Sequence, residues 1–68
     1  MKPTLIKIAN ILWQVPLMSK AILISIINPI ETEEQANRML NFLEKNIDNP
    51  NIMDTDYLIP NKRKIIGL

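Results

Sequence analysis

Polar residues in the first fifteen positions fall in one narrow stripe. Lys7, Asn10 and Gln14 recur at i, i+3 and i+7, the spacing that lines side chains up on one face of an α-helix. From Leu5 to Val15 every other position is apolar: Leu5, Ile6, Ile8, Ala9, Ile11, Leu12, Trp13 and Val15. The pattern predicts a helix over Thr4–Val15 that is covered on most of its circumference. A fold of three short elements hardly surrounds one helix on three sides, so the surplus apolar face points to self-association.

Pro16 either opens a second helix in its first turn or breaks the first, because it disfavours the αR conformation at Val15. Leu17–Asn28 then admits two readings. As a helix it is apolar nearly all round, with Ser19, Lys20, Ser25 and Asn28 sharing no face. As a strand, 21–27 is a short β-branched run suited to a buried sheet. Strand partners are scarce, so helix is preferred, ending at Asn28-Pro29.

Thr32–Asn46 carries signals that all agree. Thr32 and Gln35 have the spacing of a capping box. Glu33 and Glu34 sit at the positive end of the helix dipole and Lys45 at the negative end. Ala36, Met39, Leu40, Leu43 and Ile47 form one apolar stripe, and Glu34–Arg38 is an i, i+4 ion pair on the polar side. Asn46 is suited to an αL termination, and Asn49-Pro50 prevents the helix from resuming. Beyond the 48–51 turn, Ile52–Tyr57 reads as the start of a short helix capped by Asp54 or Thr55, which Pro60 should cut off after little more than a turn. The competing reading is a hairpin pairing 57–59 with 64–66. The expected fold is therefore all-α, a single domain over 1–68 with about three helices and an irregular C-terminal segment. The alternative is α+β, with a strand at 21–27 and a C-terminal hairpin.

Composition narrows the chemistry. The 68 residues include no cysteine and no histidine, which removes disulfides and the usual zinc site. One glycine excludes phosphate-cradling loops. Asp48, Asp54 and Asp56 lack the spacing, central glycine and terminal glutamate of a calcium loop, and capping or turn roles explain them. Ser25 has no base near it in sequence, and Glu33, Glu34 and Glu44 lie on a solvated helix face. The expectation is no enzyme, no cofactor, no metal and no small-molecule substrate. Thirteen isoleucines, eight asparagines and six lysines fit the residue bias of an AT-rich bacterial or phage genome. The longest apolar run, Ala21–Ile27, is far short of the ~20 residues of a membrane span. With no signal-peptide pattern, the expected location is cytoplasmic.

Net charge is only +1, but it is unevenly placed. Lys2, Lys7 and Lys20 are the only charged side chains before Glu31, all seven acids lie between Glu31 and Asp56, and Lys62, Arg63 and Lys64 follow. The outer face of the third helix is net acidic, which argues against a groove-reading role there. Binding to protein, either another copy or a larger partner, is the preferred expectation. Its candidate residues are Trp13, opposite the polar stripe as a core anchor or a contact, and Phe42 beside Arg38. Phe42 should reach solvent or a partner unless the C-terminal segment covers it. The alternative is a small nucleic-acid-binding regulator that grips the backbone through Lys62, Arg63 and Lys64. Attachment to a membrane surface through Trp13 and the early lysines is a third possibility.

Overall fold

The computed structural model describes all 68 residues and contains four helices and no strand. They are α1 (Lys2–Leu12), α2 (Lys20–Ile27), α3 (Glu33–Lys45) and α4 (Thr55–Ile65). The all-α class agrees with the sequence pattern. The helix count is one higher than expected, and neither the strand at 21–27 nor the C-terminal hairpin forms.

Each boundary has a local cause. α1 begins earlier than Thr4, because Pro3 in its first turn lacks an N–H that would have no partner there anyway. It stops at Leu12 and tightens into i→i+3 bonds, Gln14 N–H to the Ile11 carbonyl and Val15 N–H to that of Leu12, both 3.0 Å. Pro16 denies Val15 a helical conformation, so the segment does not run on as a helix to Val15. Nor does Pro16 open α2. That helix starts beyond it, where the Ser19 hydroxyl accepts the Ile22 N–H at 3.2 Å. α3 has the full capping box: Thr32 Oγ1 accepts from Gln35 N–H, and Gln35 Oε1 accepts from the Thr32 and Glu31 amides at 3.0 and 2.7 Å. Its last turn ends without an αL residue. Asn46 keeps φ −114° and instead donates its side-chain amide to the Phe42 carbonyl at 2.8 Å.

α4 is the main departure from expectation. Asp54 caps it, accepting the Asp56 N–H at 2.8 Å, yet Pro60 does not end it. The helix survives because the residues flanking the proline are anchored, Leu58 buried on one side and Ile66 on the other. The local loss is also limited. The Asp56 carbonyl, which loses its donor, belongs to an exposed residue that water can reach. The Tyr57 carbonyl receives the Asn61 side-chain amide at 2.8 Å. The helix closes with a Schellman motif: Leu68 N–H bonds the Arg63 carbonyl at 2.8 Å and Gly67 N–H that of Lys64 at 3.1 Å. Gly67 has φ +93°, a backbone conformation that L side chains rarely adopt, so glycine is required by the turn; the side-chain end of exposed Arg38 lies over it.

The helices form a ring. α1 packs chiefly on α3 and α2 on α4, while lighter contacts join α1 to α2 and α3 to α4; the diagonals do not touch. Inside lie Ile8, Leu12, Val15, Ile26, Ile30, Ala36, Met39, Leu43, Met53, Leu58 and Ile66. The predicted stripe of α3 supplies three of these. Ile47 does not follow, since the helix has ended and leaves it exposed. Two polar links tie distant segments. Lys62 Nζ donates to Ser25 Oγ at 2.6 Å, joining α4 to α2. Both oxygens of Glu33 hold the start of α1: Oε2 pairs with the Met1 ammonium and Oε1 accepts from Thr4 Oγ1, each at 2.8 Å.

Two predictions follow from the caps and the clasp. Thr32→Ala removes the acceptor of the capping box and should cost about 1 kcal/mol in urea denaturation. Glu33 has its pKa held below the ordinary carboxylate value, first by its bond to the Met1 ammonium and then by that to Thr4. Its contribution is therefore complete above the unfolded pKa of about 4.3 and is lost as pH falls through the lower folded value. Glu33→Gln should flatten that acid limb of the stability profile, and so should a residue added before Met1. An unchanged limb in both would show that the clasp is not formed in solution.

Candidate interaction surface

The end of the molecule where α1 terminates gathers apolar groups that the ring does not cover. The turn Val15–Met18 is closed by Met18 N–H to the Val15 carbonyl at 3.2 Å. Pro16 at its second position and a positive φ at its third make the arrangement of a type II turn, which favours glycine third. This chain has Leu17 there, at φ +65° and 87 % exposed. An αL leucine costs roughly 1–2 kcal/mol, and its side chain gains no burial within the monomer. Trp13, one turn earlier at the C-cap of α1, is 50 % exposed, and Ile6 lies a further two turns back on the same side at 52 %.

Beside the turn opens a cleft of about 470 Å³, within the size range of ligand pockets. Ile11, Val15, Pro16 and Met53 meet in it with Ile47, and Asp48 and Asp54 bring carboxylates to its lining. Asp54 uses one oxygen as the α4 cap. Neither aspartate forms an ion pair.

The structure separates the two aromatic candidates. Trp13 is no core anchor; it faces solvent over half its surface. Phe42 is partly buried and stacks on Tyr57 of α4, ring centroids 6.2 Å apart and planes 4° from parallel. The C-terminal segment thus covers it, as one of the two sequence readings allowed. Arg38 remains exposed, in a 3.4 Å contact with Glu34 and beside Gly67. A shallow depression lined by Arg38, Asn41, Phe42, Lys45 and Ile65 joins it to the rim of Phe42. Lys62, Arg63 and Lys64 form the last turn of α4, where positive charge complements the helix dipole. Lys62 is engaged with Ser25, so Arg63 and Lys64 are the exposed members of the trio.

Leu17 and the cleft were not singled out by the sequence pattern. The available signal was Pro16 followed by a residue other than glycine, next to a helix with too many apolar positions. No family model matches the chain, and no curated protein or solved structure is similar enough to count as a relative.

The different settings of the two aromatics lead to a clear expectation. Phe42→Ala should destabilise the fold by about 2–3 kcal/mol, by opening a cavity against Tyr57 and the core. Trp13→Ala should destabilise less than Phe42→Ala, because half of Trp13 stays in solvent in the folded chain. Chemical denaturation of both variants measures the contrast; equal losses would place Trp13 in the core.

Proposed function

We propose that the protein acts without catalysis, as a small protein-interaction module that binds through the α1 pole. One observation carries this reading: Leu17 stays exposed directly after Pro16 of an open cleft to which exposed Ile47 also contributes, and Trp13 is half exposed one turn earlier. In a chain this small such groups are valuable to its core. A leucine held at positive φ on the surface supports it further, because backbone strain concentrates where structure serves binding. The chemistry of the side chains supports a non-enzymatic role. Of the candidate acids, Asp54 is engaged by the α4 cap and Glu33 by the Met1 clasp.

Binding of nucleic acid through Lys62, Arg63 and Lys64 has less support. Their placement in the last turn of α4 already gives them a structural role, and α3 presents Glu33, Glu34 and Glu44 outward.

The intact chain carrying a photo-crosslinking residue at Ile6, which is exposed and outside the cleft, tests the reading in cells. Protein adducts that vanish in the Trp13→Ala, Leu17→Asn background support it, whereas adducts indifferent to those substitutions overturn it. Retention on a nucleic-acid column that weakens steeply with salt and is lost on Arg63→Ala, Lys64→Ala would favour the alternative.

A further inference from the structure

We infer that the α1 pole is a self-complementary surface, on which two copies pair about a two-fold axis with each Leu17 seated in the other's cleft. The inference rests on the interaction-module reading above and names the partner. Its first support is proximity. Pro16 lines the cleft and Leu17 follows it directly, so donor and acceptor lie side by side on one face. A protruding group next to a matching hollow is the layout that a two-fold axis closes, since each copy then gives and receives the same contact. The cleft is ample for an aliphatic side chain, and its apolar members Ile11, Val15, Ile47 and Met53 suit leucine chemically.

Charge supports a second copy over an unspecified apolar partner. Lys20, three residues after Leu17, is the first residue of α2, at the positive end of that helix dipole, with no acid in its first turn. That is an unfavourable place for an ammonium group, and Lys20 has no ion-pair partner in its own chain. The cleft holds the opposite imbalance, Asp48 and Asp54 with no cation. Because Lys20 follows Leu17 by three residues and Asp48 and Asp54 line the cleft, seating Leu17 in the opposite cleft brings a basic side chain of each copy to the acidic lining of the other.

Sedimentation velocity of the intact chain across a concentration series tests the pairing. The expected result is a reversible rise toward twice the 7.9 kDa chain mass, weakened by salt. Leu17→Asn should raise the dissociation constant by about 100-fold or more, since two buried leucines are lost per dimer. It should melt no lower than the parent, because asparagine tolerates αL. Asp48→Lys should weaken pairing, and Lys20→Asp in the same chain should restore it. A parent that stays monomeric at millimolar concentration overturns the exchange, while leaving a Trp13-dependent crosslink to another protein as the separate test of the interaction module. A dimer that withstands Leu17→Asn, or a charge swap that fails to restore pairing, overturns it as well.

Discussion

Water is shut out from Ala36, Met39 and Leu43 completely, and α1 and α4 each lay a face on α3 while α2 closes the ring between them. α3 is the helix whose own sequence agrees best with its fold, in its capping box, its stripe and its charge placement. In 68 residues without a disulfide the surplus of burial over chain entropy is small. The structure therefore leaves few helix ends unattended. Ser19, Thr32 and Asp54 cap three N-termini and Gly67 closes the last C-terminus. No buried side-chain polar atom lacks a partner.

How far the sequence could be read depended on whether local and tertiary signals pointed the same way. They did in α3 from its capping box through Leu43, and parted only at its end, where Asn46 stays out of αL and Ile47 is exposed. In α2 they were silent: a segment apolar on every side has no period to read, and the deciding residue was Ser19, a cap without a glutamate or glutamine to complete a box. α4 was masked by Pro60, whose cost is offset by core anchors on both flanks and by the exposure of the Asp56 carbonyl's residue to water. No local propensity reports those compensations. The two aromatics exchanged roles for a related reason. A helical wheel shows which positions share a face but not which face another helix covers. Trp13 keeps helical geometry and shares with Ile6 a side of α1 that stays exposed. The ring that covers Phe42 belongs to a helix that the proline concealed.

The exposed apolar groups of the α1 pole were hidden by the same limitation. Excess apolar content in the first third of the chain was visible, but its location was not. The fourth helix absorbs part of the excess, and what remains collects around the type II turn and the α3–α4 connector. The charge blocks acquire distinct meanings as well. The final basic trio serves its own helix, the acids of α3 face water or hold Met1, and Lys20 with Asp48 is left without a local explanation.

The ring order has a consequence for how the chain reaches this state. Its main helix pairs, α1 with α3 and α2 with α4, interleave along the sequence, whereas the neighbours α1–α2 and α3–α4 touch lightly. A cut in the α2–α3 connection separates both main pairs and leaves each half with one lightly packed pair. Neither half can serve as a preformed template for the other, so docking must be concerted, with loops closed before most of the packing is gained. A chain built this way tolerates change at its rim far better than loss of any one segment. Its evolutionary freedom is therefore concentrated on the outward faces of the ring.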